Sequence, residues 1–181
     1  MILHARSQRL IEAEYAKAVA VAVAPLVAKV GVFVDARAPF VADCARALKL
    51  DLVQLHGHES HDFVRALDRY RIVRAVRPDE WDDWRDARLP NLAALLVDSA
   101  VGGSGVENDW DAVEAMLRDR PTTLPVILAG GLRPETVGAI VRRFRPFAVD
   151  VSSGVEGEPT RKSAEKLAAF ATAVRDADAD A

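Results

Sequence analysis

Short apolar runs alternate along the chain with segments of helical periodicity. Lys29 to Val34, Asp51 to Leu55, Arg71 to Val76, Ala93 to Val97, Pro125 to Leu128 and Phe147 to Val151 are brief, mostly apolar and rich in Val, Ile and Leu. Runs of that length predict buried strands rather than helices. Helices are predicted at Ala38 to Leu48, Ser60 to Tyr70, a short segment at Trp81 and Trp84, Trp110 to Arg118, after each of the last two strands, and over Lys162 to Arg175. Met1 to His4 reads as the end of one more strand. The stretch Ala13 to Ala24 alternates like a strand. Alanine is a strong helix former and the strand at Lys29 follows closely, so a helix is predicted there. Strand and helix in alternation with short links specify βα units around a parallel sheet.

The last two strands end in glycine-centred turns, Leu128-Ala129-Gly130-Gly131-Leu132-Arg133-Pro134 and Val149-Asp150-Val151-Ser152-Ser153-Gly154-Val155-Glu156. A strand that ends in small residues before a helix leaves backbone N–H groups uncovered, and helix N-termini carry partial positive charge. Two such turns side by side form a pocket for a phosphate monoester. Gly130, Gly131, Ser152, Ser153 and Gly154 are the candidate phosphate-binding residues, and the expected partner is a phosphorylated small molecule. In an eight-stranded parallel barrel the loops after strands seven and eight hold that position. Six strands count from Lys29, and Met1 to His4 ends a seventh, one βα unit short of eight. The expected fold is α/β, of the (βα)8 TIM-barrel class, as an N-terminally shortened barrel with about seven parallel strands. Residues 1–175 are expected to form a single domain with its first βα unit missing, and residues 176–181 a frayed acidic tail.

Composition narrows the function. Half of the 181 residues are apolar, ample core for one domain. A net charge of −3 gives no electrostatic footprint for nucleic acid. No apolar run approaches the roughly 18 residues of a spanning helix, and the N-terminus lacks a signal-peptide pattern. No nucleic-acid or membrane partner is expected, and the number of copies is left open. The one cysteine, Cys44, suits a reducing cytoplasm and falls mid-helix, where it reads as a packing residue. His56, His58 and His61 with Glu59 cross a strand–turn–helix boundary, unlike the helix-borne histidine pair of a zinc protease, so no metal site is expected.

VGVFVD at Val30 to Asp35, LDLVQLHGHE at 50–59, LLVDSAVGGSG at 95–105, ILAGGLRPETV at 127–137 and VDVSSGVEGEPTRKS at 149–163 together resemble the phosphoribosylanthranilate isomerases of tryptophan biosynthesis. The resemblance runs from about Leu3 to Arg175, and its motifs fall in the family's order and spacing. It implies a (βα)8 barrel and an Amadori rearrangement, in which an aminoaldose opens its ring and becomes an aminoketose, without cofactor. An acid must protonate the ring oxygen, and a base must take a proton from the neighbouring carbon. Asp98, at the end of an apolar strand, matches the family's general acid, and a partly buried setting helps a carboxyl keep its proton. From position alone it would equally anchor a loop, since Asp-Ser before glycines is ordinary turn chemistry.

Arg9 matches the arginine that holds the anthranilate carboxylate, a group a guanidinium grips with two parallel bonds. Gln8 stands where the family has a proline. Gln54 and His56 are two apart on one strand and so face one side, which the resemblance puts at the substrate. Gly102 and Gly103 open a glycine loop directly after Asp98, and such loops close over substrate. The family's first strand carries a Lys-Ile-Cys-Gly motif whose cysteine is the general base, and the sequence contains no such motif. The leading expectation is a phosphoribosylanthranilate isomerase whose first βα unit, with the cysteine, lies upstream of Met1. A catalytically inactive phosphosugar-binding form is the second. A different phosphosugar barrel enzyme such as indole-glycerol-phosphate synthase is the third, which would use a lysine acid where this chain offers none.

Overall fold

The expected runs fold as parallel strands that pair in chain order. The computed structural model describes residues 1–98 and 109–180. In order, the elements are β1 (Ile2–His4), α1 (Ala13–Ala22), β2 (Val30–Phe33), α2 (Ala38–Leu48), β3 (Leu52–Leu55), α3 (His61–Ala66), β4 (Ile72–Val76), a 3-10 turn (Pro78–Glu80), α4 (Trp81–Trp84) and β5 (Leu92–Val97). They continue with α5 (Trp110–Asp119), β6 (Val126–Leu128), α6 (Pro134–Phe144), β7 (Ala148–Val149), a 3-10 turn (Ser153–Val155), β8 (Glu156–Glu158), β9 (Arg161–Lys162) and α7 (Ala164–Ala179). The seven-stranded sheet has the order β1-β2-β3-β4-β5-β6-β7. The β1–β2, β2–β3, β3–β4 and β6–β7 pairings are parallel, with Val30 opposite Leu52 and Leu128 opposite Val149. Every residue of β4 is buried, as expected of a strand covered on both faces.

Two compact units divide the chain. The first comprises Met1–Ala75 with Ala87–Leu95. Its core is Phe33, Val41, Val53, Leu55, Val64, Ile72 and Leu95. Pro39 stands in the first turn of α2, and Lys49 ends it in the left-handed conformation at φ 51°. Helix α3 is shorter than the Ser60 to Tyr70 span. Ser60 Oγ caps its start by accepting the Phe63 N–H, and Asn91 Nδ2 donates to the Val64 and Leu67 carbonyls at 2.8 and 3.1 Å, which takes up the carbonyls that another turn would need. The outer edge of β1 is partly occupied, because the Ile11 N–H donates to the Ile2 carbonyl at 3.0 Å and Leu10 bridges Ile2 in parallel.

The second unit comprises Val76–Asp86 with Leu96–Ala181. Trp81, Trp84, Val97, Val113, Leu128, Leu132, Val137 and Val155 fill its core. The Trp81 indole N–H donates to the Arg120 carbonyl at 2.8 Å, which fixes the short α4. Helix α7 continues through Ala179 rather than stopping near Arg175. Alternating alanines favour the helix, Ala177 is fully buried, and Asp180 bonds Arg142 Nε at 3.1 Å. The β8–β9 hairpin has no counterpart in the expected elements. Its turn needs Thr160 at φ 66°, a conformation that no glycine or asparagine announces.

Candidate active site

The two glycine turns of the second unit touch. Gly130 and Gly131 adopt φ of 92° and 69°, the left-handed region that glycine enters without steric cost. This lets the chain leave β6 and reach Pro134, the first residue of α6. Arg133 is the N-cap, and no side chain caps α6. The Ser152–Gly154 turn packs against the same bend, where a Cβ on Gly154 would collide with the Leu132 carbonyl oxygen and lie 3.3 Å from Arg133 Cα. Only glycine fits there. The Ala129 N–H donates to the Val97 carbonyl at 2.9 Å and the Asp150 N–H to the Leu128 carbonyl at 2.8 Å, so the ends of β5, β6 and β7 are stitched side by side. Asp98 follows β5 directly, is 7 % exposed, and donates its backbone N–H to the Val76 carbonyl. A shielded carboxyl thus stands at the strand end beside the glycine turns.

The first unit gathers a second group of expected residues. Gln54 is buried, and its Nε2 lies 3.1 Å from Nδ1 of the half-buried His56, so the two side chains meet on one side of the strand end. His56 is placed by its N–H, which donates to the Phe33 carbonyl at 2.8 Å. Arg9 is half-buried in the turn after β1, where its N–H bonds Ser7 Oγ at 3.1 Å. Gly102 and Gly103 lie outside the described residues. Glu59 is engaged by backbone, since its carboxylate accepts the Asp35 and Gly57 N–H groups at 2.8 and 2.9 Å. His58 pairs instead with Asp35, Nδ1 to Oδ2 at 3.1 Å. Among the described residues no cluster of three metal-ligating side chains forms. Cys44 sits on α2, where burial and the neighbouring Asp43 charge push its thiol up, the opposite of an activated thiolate.

Sequence reasoning missed two cations, one buried and one on the surface. Arg74 on β4 is 1 % exposed. It donates to the carbonyls of Leu55, Ala75 and Gly57 and lies 3.8 Å from Glu59. Two of those carbonyls flank His56, so the guanidinium fixes the backbone that presents the imidazole. An arginine between apolar residues in a strand pattern was the only signal, because unpaired arginine is almost never fully buried. Lys162, on β9, bonds into the Ser152 turn and the Glu156 carboxylate. Nothing in its local sequence separates it from the surface lysines nearby.

A family model for N-(5'phosphoribosyl)anthranilate (PRA) isomerase matches residues 1–173. The N-(5'-phosphoribosyl)anthranilate isomerase of Geobacter sulfurreducens is 38% identical over 93% of this chain and 83% of its own length. Among solved structures, phosphoribosyl anthranilate isomerase from Thermus thermophilus matches with a TM-score of 0.83 and 36% identity, over 97% of this chain and 86% of its own. A phosphoribosyl anthranilate isomerase in complex with reduced 1-(o-carboxyphenylamino)-1-deoxyribulose 5-phosphate matches at a TM-score of 0.81 and 30% identity, over the same shares. The chain belongs to the N-(5'-phosphoribosyl)anthranilate isomerase family, and its α/β fold of seven parallel strands is that of the family's (βα)8 barrel.

Proposed function

We infer that the chain isomerises N-(5'-phosphoribosyl)anthranilate to 1-(o-carboxyphenylamino)-1-deoxyribulose 5-phosphate in tryptophan biosynthesis. The observation that carries the reading is Asp98, shielded at the end of β5 beside two interlocked glycine turns. The phosphate is received by the Gly130–Gly131 and Ser152–Gly154 turns, whose amides and helix dipole favour a dianion. Asp98 gives its proton to the furanose ring oxygen, the C1′–O bond breaks, and the anthranilate nitrogen's lone pair completes an iminium at C1′. Loss of the C2′ proton then gives the enolamine, which tautomerises to the ketone. In the first unit, Arg9 takes the anthranilate carboxylate in a bidentate grip, and Gln54 and His56 line the substrate. The cytoplasm is the proposed compartment, supported by the single unpaired thiol of Cys44.

The base that takes the C2′ proton is the family's Lys-Ile-Cys-Gly cysteine, and the sequence contains no such motif. A second reading rests on the interlocked phosphate turns alone, a phosphosugar-binding form without turnover. The family match sets aside the ring-closing synthase. One experiment separates the two remaining readings: fluorescence-monitored conversion of phosphoribosylanthranilate, with calorimetric titration of the reduced product analogue, for wild type and Asp98→Asn. Isomerase action requires turnover that falls at least ~100-fold in Asp98→Asn, while analogue affinity changes little. Analogue binding with no turnover in the wild type establishes the binding form. Near-normal turnover in the variant would leave Asp98 as a loop anchor.

A further inference from the structure

We propose that Lys162 is a positioning residue of the phosphate site: it holds the Ser152 carbonyl against the buried Glu156 carboxylate and so sets the turn that receives the phosphate. The proposal rests on reading Ser152–Gly154 as a phosphate turn. The Lys162 ammonium has three hydrogens to give. It donates to the Ser152 carbonyl at 2.7 Å, to Glu156 Oε1 at 3.0 Å and to Ser152 Oγ at 3.5 Å. Glu156 is 9 % exposed, and its other oxygen accepts the Thr160 N–H at 3.2 Å. Its backbone carbonyl takes Lys166 Nζ of α7 at 2.7 Å. The β8–β9 hairpin places Lys162 directly opposite Glu156, and the Ser163 N–H bonds the Val155 carbonyl at 2.8 Å. The hairpin is therefore a bracket built on Glu156, with Lys162 as its arm.

The reach of that arm follows from peptide geometry. No peptide bond is cis among the described residues, so the Ser152 C=O and the Ser153 N–H point in opposite directions. Pulling the carbonyl toward Lys162 turns the Ser153 N–H away from the hairpin, on the side where a donor for the phosphate is needed. A carbonyl oxygen facing the anion instead would repel it. Lys162 is paired to Glu156 and brings little net charge, so its contribution is orientation rather than attraction.

Titration of the full chain with reduced 1-(o-carboxyphenylamino)-1-deoxyribulose 5-phosphate and with its dephosphorylated counterpart tests this. Lys162→Met is expected to weaken the phosphorylated ligand at least ~10-fold, about 1.4 kcal/mol, and to leave the dephosphorylated one unchanged. Lys162→Arg, which still donates to a carbonyl, should recover affinity to within about threefold of wild type. The double variant Lys162→Met with Glu156→Gln should stay weak, because neutralising the carboxylate does not restore the anchor. Wild-type affinity in Lys162→Met, equal loss of both ligands, or recovery in the double variant would each overturn the proposal. If Lys162→Met unfolds, the Lys162→Arg comparison decides, and a ~10-fold loss there with an unchanged melting temperature counts against it. A wild type with no preference for the phosphorylated ligand would instead defeat the phosphate-turn reading itself, and the role of Lys162 with it.

Discussion

Asp35 shows how one side chain shapes the end of β2. It sits at φ 51°, where a short polar side chain that bonds locally is better tolerated than most. Its Oδ1 accepts the His58 N–H at 2.6 Å and its Oδ2 lies 3.1 Å from His58 Nδ1. That backbone hydrogen bond, helped by the His58 side chain and by Arg74, holds the Asp35 carboxyl below its ordinary value of 3.8. A group with a depressed folded value stabilises the fold above its unfolded value, and the contribution is lost as pH falls through the folded one. Thermal melts of wild type and Asp35→Asn should therefore differ at neutral pH and converge below pH 3.8. A constant gap down to pH 2 would mean that the hydrogen bond matters and the charge does not. At this scale the sequence was readable where a residue type meets a turn or a strand end. Asp98, His56 and the glycines stood out because polar or flexible residues interrupt apolar runs. Arg74 and Lys162 were hidden because the main-chain carbonyls they hold leave no trace in residue identity.

At the scale of elements, the second unit's turns depend on clearance more than on composition. Gly154 has no room for a Cβ because the Leu132 carbonyl occupies the space. Gly154→Ala should push the two turns apart at an overpacking cost of about 1–3 kcal/mol, lowering the melting temperature by roughly 2–12 °C in a chain of this size. It should also abolish the preference for a phosphorylated ligand. A melt within 1 °C of wild type, read by circular dichroism, would show that the turns have slack and that the close approach is not needed. The strands and most helices were legible because period and length specify them, and Ala38–Leu48 matched at both ends. The shortened α3 and the β8–β9 hairpin were not. One is stopped by Asn91, distant in sequence, and the other is held by the Lys162–Glu156 pair across its own turn. Both are fixed by contacts that local patterns do not encode.

The whole molecule carries an apolar surface concentrated in one stretch of sequence. Leu10, Tyr15, Val19, Val21, Leu26 and Val27 are all exposed, with Leu26 at 98 % and Val21 at 86 %. Helix α1 buries only Ala16, although its sequence is apolar on several sides. A helix with that pattern normally lies inside a larger structure, and soluble monomers rarely show contiguous apolar patches beyond a few hundred Å². The net charge of −3 is at the low end of what keeps small domains apart by repulsion. The purified chain should therefore self-associate, with light scattering that rises with concentration. Val21→Lys combined with Leu26→Lys should flatten that rise at little cost in stability, since surface substitutions away from special features usually fall within about 0.5 kcal/mol. If the wild type stays monodisperse at high concentration, the exposed residues are harmless singly and do not act as one patch. If it associates and the lysines leave the scattering unchanged, the contact lies elsewhere on the molecule, with the exposed Phe147 beside β7 the next position to test.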